Sequence, residues 1–223
     1  MAEPTDVRPR RERKANADRR RRQLLDAARR SILRHGLTRT TLATVSSEAG
    51  LSQGVAVFYF KSKAGLLTET LRDLYRGYQA FWTEALDAAG PTPHDRIMAL
   101  IRADFASEAC GPDVLPIWFA FWGELRFTRT YAEVAAMFDA HRRAVIGQIW
   151  ADLLPDHKPE DIAQLSEWVD IVTDGYWQRL YLSPEKINSQ QAVKATWSCL
   201  VKLAPELARP AKPTDARRQS THT

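Results

Sequence analysis

Apolar residues recur every third or fourth position along almost the whole chain, with polar residues between them, so the pattern predicts helices and no strands. Leu24, Leu25, Ala28 and Ile32 share one face of a helix from about Ala17 to His35, which Gly36 stops. A short helix carrying Leu42, Val45 and Ala49 follows, capped by either Thr40 or Thr41 and ended by the left-handed residue Gly50. A second short helix opens at Ser52 as its cap, with Val57 and Phe60 or their neighbours on its inner side. Beyond it the spacing predicts helices at 63–89, 93–109, 114–126, 130–153, 160–182 and 186–204, separated by Gly90-Pro91, Gly111-Pro112 and Pro155. No internal repeat interrupts this order.

Two short helices meeting at a glycine corner form a helix-turn-helix layout, in which the second helix enters the DNA major groove. Gln53, Gly54 and Val55 open that helix and protrude. The amide of Gln53 has the donor and acceptor needed to pair bidentately with adenine. Phe58, Tyr59, Lys61 and Lys63 at its far end are placed to meet phosphates. Taken one at a time, the same residues are ordinary turn and core residues. The full order of cap, glycine, second cap, aromatic cluster and lysine is what points to DNA.

The expected architecture is all-α. Residues 1–16 form a disordered basic arm, 17–62 a three-helix DNA-binding domain, 63–205 a helical ligand-binding and dimerisation domain entered through one long helix, and 206–223 a disordered tail. The two last helices, with Leu165, Trp168, Val172, Trp177, Val193, Trp197, Leu200 and Leu203, either build a four-helix contact with a second copy or serve the monomer's own core.

Charge sharpens the picture once it is located. The chain of 223 residues carries a net charge of +5, and residues 1–22 alone hold nine basic against four acidic residues. The rest is neutral. Such an arm ahead of a helix-turn-helix lies along phosphates or enters a minor groove, or else is a solvated tail. No run of eighteen apolar residues and no signal-peptide pattern occurs, so the expectation is a cytoplasmic protein without a membrane partner. Cys110 and Cys199 lack metal-ligand or redox spacing and read as reduced thiols.

The segment from about Arg19 to Leu67 resembles the DNA-binding domain of the TetR family of bacterial repressors, through FYFKSKAGLL with its aromatic pair and lysine ahead of a leucine pair. That resemblance implies base-facing roles for Gln53, Gly54 and Val55. It puts Thr41, Phe58, Tyr59 and Lys63 at the DNA backbone. Val57 stands where many members have a phosphate-binding tyrosine, so that contact is absent or falls to Tyr59. The resemblance also implies a homodimer on a palindromic operator.

All seven tryptophans lie outside the helix-turn-helix. Trp118 and Trp122 share a helical face with Phe119 beside them, and Asp174, Trp177 and Tyr181 share another with Tyr176 adjacent. Meeting faces of this kind would surround a carboxylate with aromatic walls, which suits a quaternary ammonium; alone, they are core aromatics. RRRRQLLDAARRSI, GLLTETLRDL, WFAFWGE and DGYWQRLYLS resemble the choline-responsive repressors of glycine betaine synthesis, a branch of the same family. This likeness, and not composition, implies choline as effector, with Trp118, Phe119, Trp122, Asp174, Tyr176 and Trp177 as its contacts.

Catalysis finds no support in the residues. His35, His94, His141, His157 and His222 are scattered, and there is no phosphate loop, nucleophile elbow or metal-ligand spacing, so no cofactor or metal is expected. The alternatives left open are a repressor of this type for a different ligand, an architectural DNA binder and an all-helical enzyme.

Overall fold

The computed structural model describes residues 10–208, with side chains from Glu12 onward. Its ten helices are α1 (Arg10–Arg39), α2 (Leu42–Glu48), α3 (Gln53–Phe60), α4 (Lys63–Asp87), α5 (Pro93–Asp104), α6 (Ser107–Cys110), α7 (Leu115–Trp122), α8 (Arg129–Leu153), α9 (Pro159–Leu182) and α10 (Ser189–Leu203), followed by a 3-10 turn at Pro205–Ala208. Among the described residues there is no strand, and no helix is long and apolar enough to cross a membrane. The expected all-α class is what the chain adopts.

Three boundaries differ from expectation for local reasons. α1 begins at Arg10 rather than near Ala17, so residues 10–16 of the expected arm are helical; Arg and Lys are good helix formers, and Arg19 bonds back to Asn16 Oδ1 at 2.7 Å. Residues 1–9 lie outside the described residues. Gly36 kinks α1 instead of ending it, with φ 73° and ψ 172°, and one further turn runs to Arg39. The expected helix 93–109 breaks at Phe105 and Ala106 into α5 and α6.

At the other end, residues 206–208, expected to belong to the tail, lie in the 3-10 turn. Leu207 is fully buried, and its carbonyl lies 2.9 Å from His94 Nδ1 while the His94 ring meets Trp197 edge-on at 4.7 Å. One histidine thus ties α5, α10 and the terminal turn together. Residues 209–223 lie outside the described residues.

The chain forms two compact units, and the boundary falls at Arg76 inside α4 rather than at the expected residue 63. The first unit takes the residues up to Arg76 and adds Pro116–Ala135. Leu24, Leu25, Ala28, Val45, Ala56, Phe60 and Leu66 make its core where α1 to α4 meet. Each such large side chain removed from water contributes about 1.5–3 kcal/mol. Within the same unit Trp118 packs on Tyr75 (4.8 Å, edge-on) and Phe121 on Tyr131 (5.3 Å).

The second unit holds Gly77–Leu115 and the chain from Ala136 onward. Ile97, Leu100 and Ile101 of α5, Ile146, Ile149 and Trp150 of α8, Val169 of α9 and Leu200 of α10 are buried there, following the helical spacing read from the sequence. Cys110 and Cys199 are free thiols, and burial pushes the Cys110 pKa up to about 11, which leaves it protonated and unreactive.

Candidate functional site

The corner between α2 and α3 is built by local hydrogen bonds. Thr41, with φ −131°, opens α2: its Oγ1 accepts from Thr44 N at 3.1 Å while its own N donates to Thr44 Oγ1 at 2.8 Å. Thr41 rather than Thr40 is therefore the cap; Thr40 is buried and bonded to Ser31 and Gly36 instead. Gly50 takes φ 64°, and the N–H of Leu51 returns to Ser46 O at 2.9 Å, closing the C-terminus. Ser52 opens α3 in extended geometry without a side-chain cap bond; its carbonyl accepts from Val55 N at 3.0 Å.

α3 turns Ala56 and Phe60 inward, one turn apart, with Val55 and Tyr59 half-buried against the same core. This corrects two expectations. Val57 is 41% exposed and does not anchor the helix, because it sits one residue, about 100°, past Ala56. Val55 faces the core rather than protruding. The outward stripe is Gln53, Gly54, Val57 and Phe58, the last 67% exposed. An exposed phenylalanine beside glutamine on a short helix is a surface made to meet something.

Cations frame this stripe. Lys61 donates to Phe58 O at 2.8 Å and sits 5.3 Å from the Phe58 ring centre. Lys63 donates to Thr38 O, securing the last turn of α1, and keeps its other two N–H donors. Tyr59 lines a hollow of about 280 Å³ with Arg13, Asn16, Ala17, Arg19 and Arg20. Of those arginines, Arg13 falls in the stretch expected to be a disordered arm and is helical here, while Arg19 and Arg20 fall in the expected first helix.

Ion pairs bind this unit to α4. Asp73, 5% exposed, accepts from Arg22 Nη1 at 2.7 Å and Arg29 Nη2 at 2.8 Å, and Glu69 pairs with Arg21 and Arg72. The Asp73 hydrogen bond raises the Arg22 pKa.

The residues picked as ligand contacts fall into both units. Trp118, Phe119 and Trp122 cluster in the first, with Trp122 5.1 Å from Phe119 and 6.2 Å from Trp118. Trp118 is buried at 1% exposure. In the second unit Trp177 is also buried and donates its Nε1–H to the Asp104 carbonyl at 2.8 Å, while Tyr176 packs against Phe105 at 6.3 Å. The Trp177 indole thus holds α9 to the end of α5.

A charged cluster that sequence reasoning missed surrounds this point. Arg142 of α8 is buried and donates through Nη2 to both oxygens of Asp104 (3.0 and 2.8 Å) and through Nε to Asp170 at 3.0 Å. Its guanidinium lies 5.3 Å from the Tyr78 ring centre and 5.8 Å from that of Trp82. Tyr78 donates to Asp104 at 2.6 Å. Burial raises the Asp104 pKa, yet the donors from Arg142 and Tyr78 favour its charged form, and the Arg142 pKa is raised by Asp104 against burial. Two donors from one guanidinium on both Asp104 oxygens give the pair the geometry of a charge-assisted hydrogen bond.

Asp174 belongs to the same cluster. It is exposed on one side and crowded on the other, and this crowding, then the charge of Asp170, pushes its pKa up to about 7, a rise that the water on its open side screens. Asp139 of α8, half-buried, is pushed up to about 6 by burial and Asp170. The signals available in the sequence were Tyr78 and Trp82, and Asp170 and Asp174, each pair one helical turn apart. Among the described residues no three histidine, cysteine or carboxylate side chains are arranged so that they could hold a metal ion.

Residues 24–70 match the family of tetR-type bacterial regulatory proteins, and residues 93–205 match the C-terminal domain of BetI-type transcriptional repressors. The chain is 31% identical over 175 residues to the HTH-type transcriptional regulator BetI of Burkholderia mallei, covering 78% of this chain and 88% of that protein. The BetI of Burkholderia ambifaria is likewise 31% identical over 78% of this chain and 89% of its own length. Among solved structures, a transcriptional regulator from Pseudomonas aeruginosa PAO1 shares the fold at TM-score 0.75 and 23% identity, covering 83% of this chain and 89% of that one. A regulator from Saccharomonospora viridis, solved in complex with choline, shares it at TM-score 0.72 and 16% identity, covering 83% and 96%.

Proposed function

The chain belongs to the TetR family of transcriptional regulators, with a BetI-type C-terminal domain, and we propose that it represses transcription by binding a palindromic operator as a homodimer that choline releases or weakens. The family is one of regulators and not of enzymes. The observation that carries the reading is the outward stripe of α3, where Gln53 and Gly54 are exposed at the helix start, beside cations and above a packed three-helix core.

Base reading falls to Gln53, through its amide, with Gly54 allowing close approach and Val57 and Phe58 offering apolar contact to thymine methyls. Lys61, Lys63, Tyr59 and the arginines of the α1 hollow grip phosphates. Thr41 spends its hydroxyl within the capping box, so its part in DNA binding is to hold the α2 start in place.

A dimer presents its two recognition helices about 34 Å apart. Support for self-association comes from the last helices, which leave Ile171 and Leu182 of α9 and Leu203 of α10 exposed. Choline as effector and glycine betaine synthesis genes as target are favoured by the names of the curated relatives and by the choline carried by the S. viridis regulator. The ligand acts only through a difference in affinity for two conformations, and operator DNA alters choline affinity by the same factor. α4, which begins beside α3 as Lys63 and carries Asp73, Tyr75, Tyr78 and Trp82 on one continuous helix, is the element suited to transmit it.

Footprinting upstream of the neighbouring genes tests this. A single protected palindrome whose protection fades in millimolar choline is expected. Protection without sequence preference would replace the reading with architectural DNA binding.

A further inference from the structure

α3 carries no charged side chain: its eight residues read QGVAVFYF. Guanine is read most often by Arg or Lys, bidentate on O6 and N7, and neither stands on this helix. The lysines that follow it are engaged at its end, Lys61 on the Phe58 carbonyl and Lys63 on that of Thr38. Among the exposed residues of α3, which are Gln53, Gly54, Val57 and Phe58, only the Gln53 side chain has hydrogen-bonding atoms, and they match adenine.

The other three are apolar for reasons the protein itself does not supply. Gly54 lies in ordinary helical backbone, and a Cβ built there meets Ser52 Oγ at 3.8 Å and nothing closer, so alanine would fit and would favour the helix. Val57 is 41% and Phe58 67% exposed, where packing asks for nothing large. The Phe58 ring is nonetheless held, edge-on to Tyr59 at 5.1 Å and with the Lys61 ammonium 5.3 Å from its centre. An apolar surface fixed in place, with cations only around it, matches a partner that is anionic at its edges and carries methyl groups between them. In the major groove the pyrimidine 5-methyl is that group, and thymine supplies it.

We propose that α3 selects operator half-sites whose core is a run of A·T pairs, with Gln53 pairing to an adenine, Val57 and Phe58 packing on thymine 5-methyl groups, and no guanine read by this helix. The inference rests on the operator-binding reading above and names the DNA which that reading prefers. Val57 stands about 6 Å along α3 from Gln53 and base pairs stack about 3.4 Å apart, so the methyl groups lie about two base pairs from the adenine. Gly54, without a side chain, lets the helix come close enough for both contacts.

Selection by the full chain from duplexes randomised over about twenty base pairs, which hold two half-sites a helical turn apart, tests it. A palindrome is expected, with A·T pairs beside the position whose preference Gln53→Ala relaxes. In that duplex deoxyuridine in place of thymine removes a methyl without touching a hydrogen bond, and it weakens binding about fourfold at each contacted position, the worth of one buried methyl. The same replacement costs nothing further in the double variant Val57→Ala, Phe58→Ala, whose two residues are exposed and leave the fold intact. At a contacted position 5-methylcytosine·guanine binds about fourfold more tightly than cytosine·guanine, because the methyl returns. Guanine enriched beside the Gln53 position, a Gln53→Ala variant that relaxes no position, or deoxyuridine duplexes bound as tightly as thymine ones would overturn the proposal and leave the repressor reading standing. A pool from which no sequence is enriched overturns that reading itself.

Discussion

Nη2 of Arg29 on α1 lies 2.8 Å from Oδ2 of Asp73 on α4, and the same oxygen also receives Arg22. The recognition unit is thereby fastened to the first half of the helix that continues, unbroken, to Asp87. A helix so clamped carries α1 with it when it tilts. Asp73→Ala leaves two guanidiniums without their acceptor, one of them already with an unpartnered Nε. It lowers unfolding free energy by about 1–3 kcal/mol, discounted because both arginines keep some water. Urea denaturation measures it, and a loss below experimental error would show the clamp to be ornamental.

Base reading and phosphate grip separate in salt. Gln53→Ala costs the operator about 1–3 kcal/mol and relaxes preference at the base it reads, with the salt dependence unchanged. Arg13→Ala, Arg19→Ala and Arg20→Ala act oppositely: each weakens all sequences alike and flattens the plot of log affinity against log salt. Fluorescence anisotropy at several salt concentrations distinguishes the two patterns. Val57→Tyr places a phenol on the exposed stripe where Val57 now stands and tightens operator binding with no change in salt slope.

Two glycines in the recognition unit respond differently to a methyl group. Gly50 has φ 64° and open space around its missing Cβ, so Gly50→Ala costs only the left-handed conformation, about 1–2 kcal/mol. Gly65 has an ordinary φ, but a Cβ there would stand 2.2 Å from the Phe60 carbonyl. That carbonyl also accepts from Ser62 N at 2.7 Å, so it cannot retreat without opening the link between α3 and α4. Gly65→Ala is expected to be the more damaging in thermal melts, and to weaken operator binding as well. Equal melting temperatures would mean the link yields easily.

The fold was legible where side chains act locally. Leu24, Leu25, Ala28 and Ile32 form the inner face of α1 as their spacing required, and Gly50 takes the positive φ that ends α2. Val55 and Val57 exchanged roles because a helix of eight residues gives too few turns to fix its phase from apolarity alone. Of the Arg142 cluster only Asp174 was singled out from the sequence. Its partners lie at Tyr78, Asp104 and Asp170, and nothing in the spacing of single helices says which charges a tertiary fold will bring together. The aromatic pairs were seen, yet Trp177 turned out to spend its N–H on a backbone carbonyl, a contact that only tertiary structure reveals.

That same cluster makes stability depend on pH. Asp139 and Asp174 have native pKa values of about 6 and about 7, above their ordinary 3.8. The native state therefore holds protons that the unfolded chain has released, and the stabilisation is full below the ordinary value and lost as pH rises through about 6 and about 7. Burial sets both shifts first, the charge of Asp170 on α9 adds to them, Asp104 on α5 and Asp139 add to that of Asp174, and Arg142 on α8, with Arg143 for Asp139, opposes them. Unliganded protein thus melts at a lower temperature at pH 8 than at pH 5.5, and the double variant Asp139→Asn, Asp174→Asn flattens that slope. Calorimetric melts of both proteins across that pH range measure the difference. A melting temperature that stays level from pH 5.5 to 8 would show that neither carboxyl holds its proton in the native state.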